Sequence, residues 1–173
     1  MENQASSKSI ILNYGLVLGV IGILTSLALY ATGNLIEMNW LNGVVGFVAM
    51  IVIIILGIKK FKADNGGYLS FGQGVKVGMF IALLSAVISI IYNQVFINFI
   101  EPDFMNQMLE VQKTTWEEAN MTQEQMEAAE GMFETFSSPL ITSLFAIVGA
   151  AFFGFIISAI SAAVMKKSAE DQY

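Results

Sequence analysis

The sequence predicts an all-α, polytopic membrane protein: a four-transmembrane-helix bundle with an extracytoplasmic amphipathic helical hairpin between helices 3 and 4. Three observations predict this fold class. The 173 residues are 55% hydrophobic and 13% charged, and the charged fraction is about half that of an average soluble domain. Four stretches are apolar over the ~20 residues that a helix needs to cross the hydrocarbon core. The segment between the third and fourth stretches is instead acidic, with apolar residues at helical spacing.

The four apolar stretches define the spans in chain order. The second is the most apolar, because twelve of residues 41–58 are Val, Ile, Leu or Phe. At ~0.3–0.6 kcal/mol each, these side chains favour insertion by roughly 4–7 kcal/mol. We expect a single membrane domain over residues 1–173, with spans at about residues 10–31, 40–58, 75–100 and 139–164.

The lysines predict the orientation of the spans. Cytoplasmic loops are enriched in basic residues, and seven of the eight basic residues fall on one side of a four-span topology. Only Lys113 falls on the other side. We therefore expect a bacterial cytoplasmic (inner) membrane protein with both termini in the cytoplasm. The seven residues on the cytoplasmic side are Lys8, Lys59, Lys60, Lys62, Lys76, Lys166 and Lys167.

Missing residue types exclude several classes of function. The chain has no Cys and no His, which excludes disulfides, thiol nucleophiles, imidazole bases and ordinary zinc sites. It has no Arg, so no guanidinium can clamp a phosphate. The net charge of −6 argues against a nucleic-acid partner. We expect no enzymatic activity and no cofactor, since adjacent carboxylates such as Glu117 and Glu118 diverge by ~100° on a helix.

Small residues recur at four-residue spacing in three of the spans, which lets helix backbones approach closely in lipid. We expect them to pack the helices of one chain together. The alternative is that one ridge, above all that of the fourth span, forms an oligomer or partner interface. These residues are Gly15 and Gly19 in the first span, Gly74, Gly78 and Ala82 in the third, and Ala146, Ala150, Gly154, Ser158 and Ala162 in the fourth.

A polar face runs along the third span, where Ser85, Ser89 and Asn93 follow one another at helical spacing. The simpler interpretation is hydrogen bonding between helices, at about 0.6 kcal/mol for each bond. The alternative is a narrow polar groove for a lipid headgroup or a substrate. Ion-coupled transport is disfavoured, because carboxylates within spans mark ion pathways and the predicted spans carry none at mid-membrane.

The acidic segment 101–138 is predicted to form the outer hairpin. Its nine carboxylates and Lys113 give it a charge of −8. Pro102 suits the first position of the first helix, and Thr122 with Gln125 predicts a capping box that starts the second. Five of the ten methionines lie here, and methionine suits adaptable binding surfaces. The apolar residues either pack the hairpin or form an outer partner surface, represented by Met105, Met108, Trp116, Met126 and Phe133.

The loop after the second span contains two further signals. Residues 65–67, Asn-Gly-Gly, predict a turn. Residues 68–72 are predicted to form a short re-entry segment, with Tyr68 and Phe71 as anchors at the membrane interface.

Several motifs spread over nearly the whole chain are similar to those of one bacterial family. They are KKFK at 59–62, GYLSFGQG at 67–74, IY at 91–92, NFIEPD at 98–103, the Met- and Glu-rich outer segment, and GFIISAI at 154–160 before two lysines. In these motifs the chain resembles the domain-of-unknown-function 4199 (DUF4199) family. The resemblance implies a small inner-membrane protein with four helices, and it implies no activity, cofactor or catalytic residue.

These features together predict a non-enzymatic accessory or scaffold subunit for another envelope protein. Its expected partners are membrane lipid and either a membrane protein or further copies of the same chain. The alternative is a small oligomeric channel, transporter or lipid-binding membrane protein that uses the polar face of the third span.

Overall fold

The structure is a computed structural model that describes residues 6–167. These residues form α-helices and one π-helical turn, with no strand. The elements are α1 (Ser7–Ala31), α2 (Asn39–Asp64), α3 (Phe71–Val95), the π-helical turn (Phe96–Ile100), α4 (Phe104–Glu118), α5 (Gln123–Phe136) and α6 (Pro139–Met165). Within this part of the chain, α1, α2, α3 with the π-helical turn, and α6 are long and apolar enough to cross a membrane. The all-helical fold class and the four apolar spans are thus confirmed, and the chain has the architecture of a multi-pass membrane protein.

The helices are longer than the predicted spans at the lysine-rich side. At the end of α2, the Nζ atom of Lys60 lies 2.8 Å from a carboxylate oxygen of Asp64, one turn later. The predicted turn at 65–67 is confirmed, with φ values of +67° at Gly66 and +86° at Gly67. These left-handed values favour glycine, which has no Cβ to clash with the backbone.

Helix α3 begins at Phe71, so the predicted re-entry segment at 68–72 is wrong. The cause is a reciprocal cap. The hydroxyl of Ser70 accepts a hydrogen bond from the backbone N–H of Gln73 at 3.2 Å, and the side-chain oxygen of Gln73 accepts from the N–H of Ser70 at 2.9 Å. Because both donors at the helix start are satisfied, Phe71 and Gly72 enter the first turn.

The described chain divides into two compact units, and the first contains residues 6–89 and 147–167. The most deeply buried large side chains of its core come from α2, α3 and the loop between them, and Ile10 and Leu18 of α1 pack against these. Ile54, Ile58 and Ile81 have no exposed surface, and Val77 and Leu69 are each 1% exposed. The centre of this unit is therefore apolar and closely packed.

The second unit contains residues 90–146. The capping box is confirmed, because Thr122 and Gln125 exchange both hydrogen bonds at the start of α5. Between the helices, Asn120 has a φ of +57°, a value that ends α4. An ion pair of 2.7 Å joins Lys113 on α4 to Glu130 on α5.

The predicted position of Pro102 is wrong, because α4 begins only at Phe104. Pro102 lies in the turn before the helix. The Asp103 carboxylate accepts a hydrogen bond from the side-chain amide of Asn106 at 2.7 Å and does not cap a backbone N–H. The first turn is thus fixed by side chains rather than by a proline at its first position.

Candidate functional site

Small residues of α3 lie directly against small residues of α6. A Cβ atom added to Gly74 would lie 2.6 Å from the Cβ of Ala162. The same atom on Gly154 would lie 2.6 Å from the Cβ of Ala82. These distances are far below van der Waals contact, so only glycine allows the two backbones to come this close.

The middle of the same seam is formed by Gly78 and Ser158. A Cβ on Gly78 would overlap the Ser158 hydroxyl, which itself donates to the backbone carbonyl of Gly154. Ser158 has no exposed surface. The hydroxyl is therefore satisfied within its own helix, and it leaves no free polar group in the seam.

Helix α3 packs against the other two spans through further glycines. A Cβ on Gly15 would lie 2.7 Å from Leu84, and one on Gly19 would lie 2.8 Å from Ile88. On α2, a Cβ at Gly57 would overlap the side chain of Ile81. Since α3 contacts α1, α2 and α6 in these ways, it is the central helix of the first unit.

From Gly154 to Ala162, the small-residue ridge of α6 therefore packs against α3 of the same chain. Its other two predicted members differ in their surroundings. Ala150 is half-buried, whereas Ala146, which lies in the second unit, is exposed. A partner that used this ridge would have to bind at its exposed end.

The polar face of α3 is partly buried at Ser85 and exposed further along the helix. The hydroxyl of Ser85 donates to the carbonyl of Ala82 in the same helix at 2.8 Å. Ser89 and Asn93 are both exposed. The Ser85 hydroxyl therefore bonds within its own helix and not to another helix. The side chains of Ser89 and Asn93 lie at the protein surface.

The lysine-rich ends of the first unit are joined by backbone pairing. Leu69 and Lys167 exchange two hydrogen bonds of 3.1 and 2.9 Å between their main chains. The Nζ atom of Lys62 donates to the carbonyl of Met165 at 2.7 Å. The loop between α2 and α3 and the end of α6 therefore lie on one side of the unit.

A groove that the sequence did not predict lies between α1 and α3 on that same side. Its volume is about 410 Å³. Lys8 and Lys76 line it together with Ser7, and the rest of its wall is apolar. The lysine positions were visible in the sequence, but nothing in their spacing, which is 68 residues, indicates that they face one groove.

The apolar side chains of the hairpin are only partly buried. No residue of α4 or α5 is fully buried, and the residues predicted as an outer partner surface are all half-buried: Met105, Met108, Trp116, Met126 and Phe133. Its most exposed large apolar side chains are Met132 at 60%, Phe136 at 51% and Val111 at 45%. Within residues 6–167, no group of three His, Cys, Asp or Glu side chains could hold a metal ion.

Comparison with known protein families confirms the resemblance that the sequence motifs indicate. The family described as "Protein of unknown function (DUF4199)" matches residues 13–167, which is most of the chain. The chain belongs to this DUF4199 family. No curated protein and no solved structure matches it. The description of this family names no activity.

Proposed function

We propose that this DUF4199 protein is a non-enzymatic accessory or scaffold subunit that binds another protein of the bacterial cell envelope. The observation that carries the proposal is the apolar pair Met132 and Phe136, exposed by 60% and 51% on the acidic hairpin. The two residues are four apart and so share one face of α5. Exposed apolar patches rimmed by polar residues are typical of protein interaction sites.

Exposed apolar side chains are also present at the start of the membrane-spanning helix that follows α5. Leu140 and Leu144, at the same four-residue spacing, are 80% and 58% exposed at the start of α6. The Phe136 ring lies 6.3 Å from the ring of Phe145, which ties the hairpin end to that helix within the second unit. A membrane protein with a span and an adjoining outer segment could contact both the end of α5 and the start of α6.

The charge of the hairpin indicates which partner surface it fits. Residues 101–138 carry −8, and the ion pair with Glu130 already uses Lys113. A partner with basic residues around an apolar centre would be attracted and oriented by this charge. We propose that such a partner is a second envelope protein rather than another copy of this chain, since the like charges of two hairpins would repel each other.

Site-specific photocrosslinking tests the proposal. With a benzophenone amino acid replacing Phe136, we expect one dominant adduct with a different protein after irradiation of intact cells. The matched control replaces Thr114, an exposed residue of α4, and should give little of this adduct. If Phe136 crosslinks only to copies of the same chain, and the purified protein conducts ions in liposomes, the channel alternative replaces this proposal.

We also propose that the lysine-rich side faces the cytoplasm of a bacterial inner membrane. Lys8 and Lys76 line one groove, and the side chain of Lys62 donates to the carbonyl of Met165, next to Lys166. These cations therefore lie on one side of the first unit. Cytoplasmic loops carry such an excess of lysine. The hairpin, which follows the opposite end of α3, would then lie outside the cytoplasm.

Reporter fusions test this orientation. A cytoplasm-dependent fluorescent protein fused after Tyr173 should fluoresce, and alkaline phosphatase fused there should be inactive. Alkaline phosphatase inserted between Asn120 and Met121, in the turn of the hairpin, should be active. The reverse pattern would contradict the proposed orientation, and activity of both phosphatase fusions would contradict a four-span topology.

A further inference from the structure

The groove between α1 and α3 combines an apolar wall with two cations at one end. Ile11 and Leu12 of α1 face it from one side, and Phe80, Leu83 and Val87 of α3 face it from the other. Its volume of about 410 Å³ lies within the roughly 300–1,000 Å³ typical of small-molecule sites. All its lining residues belong to the first unit.

The two lysines lie at the same level of the helix pair. Gly15 meets Leu84 and Gly19 meets Ile88, so α1 and α3 run parallel, with a constant offset between contacting residues. The contacting residues differ by 69 in number in both pairs, so Lys8 lies opposite residue 77, next to Lys76. Both side chains are therefore at one end of the groove, where an anionic group could contact them together.

The length of the groove matches one leaflet of a bilayer. From Lys76 to Val87 the helix rises ~16 Å, at 1.5 Å for each residue. The hydrocarbon core of a bilayer is ~30 Å thick, so this rise is about half of it. A groove that starts at the headgroup level thus ends near the middle of the membrane, as an acyl chain does.

The described residues 6–167 supply no counter-charge to the two lysines of the groove. Among residues 6–167, the ion pairs are Lys60 with Asp64 and Lys113 with Glu130, and neither involves the groove. Within the part of the chain that the structure describes, no acidic side chain lines the groove, and the first turn of α1 contains none. An anion is therefore the occupant that this end of the groove favours.

We infer that the groove binds one anionic glycerophospholipid from the leaflet on the lysine-rich side. Its phosphate lies between Lys8 and Lys76, and one acyl chain lies along the apolar wall towards Val87. The inference concerns a different surface from the hairpin, and it holds whether or not the proposed partner exists.

Native mass spectrometry of the full-length protein in a mild detergent tests the inference. Dioleoyl phosphatidylglycerol and dioleoyl phosphatidylcholine are added at equal concentrations. We expect one retained phosphatidylglycerol for each chain, in preference to phosphatidylcholine. The double variant K8Q/K76Q should retain phosphatidylglycerol about tenfold more weakly, which corresponds to ~1.4 kcal/mol.

Matched variants separate a groove from general attraction to a basic surface. K59Q/K166Q removes the same charge from exposed lysines outside the groove and should bind as the unmodified protein does. Val87→Trp fills the deep end of the groove and should also weaken retention, whereas Val164→Trp, at a residue 80% exposed on α6, should not.

Three results would overturn the inference. One is equal retention by K8Q/K76Q and the unmodified protein, and another is an equal loss in K59Q/K166Q. The third is unchanged retention by Val87→Trp, which would reduce the interaction to headgroup adsorption. All the substituted residues are exposed, and thermal unfolding of each variant verifies that it is folded.

Discussion

Replacing Gly78 by leucine is expected to lower the free energy of unfolding by about 3 kcal/mol or more, the upper range for overpacking a core. Gly78 is the point where α3 meets both α6 and α2. A Cβ there would overlap the Ser158 hydroxyl and lie 2.8 Å from a methyl carbon of Ile54. Because neither neighbour has any exposed surface, the added side chain has no free volume to enter.

Thermal unfolding in detergent measures the effect of Gly78→Leu, and we expect the Tm to fall by roughly 10 °C. Gly149→Leu is the matched control. It introduces the same side chain into a membrane-spanning helix, at a glycine whose added Cβ would meet nothing within 4 Å. If the two variants unfold at the same temperature, the packing of the seam does not depend on glycine at 78.

The seam illustrates what residue spacing can and cannot predict. The four-residue spacing of Gly74, Gly78 and Ala82 places them on one face of a helix, and this much follows from the sequence. Their pairing with Ala162, Ser158 and Gly154 does not follow, because any of the small-residue ridges could have faced any other. Residue spacing shows which residues share a face of one helix, but it does not show which other helix packs against that face.

Helix starts show the opposite case, in which the sequence contains a local signal for the structure. Thr122 with Gln125 was interpreted as a capping box, and the structure confirms it. Ser70 with Gln73 has the same spacing and makes the same pair of hydrogen bonds. The same signal therefore predicts a helix start at Phe71 in place of the re-entry segment. The cap, together with the packing of Gly74 against Ala162, offsets the low helix propensity of Gly72 and Gly74, which is ~1 kcal/mol for each.

The groove could be predicted only in part. The sequence places Lys8 and Lys76 near the ends of two spans on one side of the membrane. Whether they share a groove depends on which helices are neighbours and on their register, and contacts such as Gly15 with Leu84 set both. In the hairpin, likewise, spacing predicts an apolar face but not which of its residues stay exposed.

Replacing Leu69 by aspartate is expected to separate the loop between α2 and α3 from the end of α6. Leu69 is 1% exposed, and its main chain exchanges two hydrogen bonds with Lys167. A carboxylate at this position would be buried in an apolar site, and its desolvation costs about 3 kcal/mol or more. The side chain would therefore move towards water and take the paired backbone with it.

Hydrogen exchange measured by mass spectrometry tests this expectation for Leu69→Asp. The amides of Leu69 and Lys167 should lose protection together, because each donates to the other's carbonyl, and the Tm should fall by roughly 10 °C. Leu69→Met conserves volume and polarity, so it should change the unfolding free energy by less than ~1.5 kcal/mol and keep both amides protected. Loss of protection at only one of the two amides would contradict a paired structure.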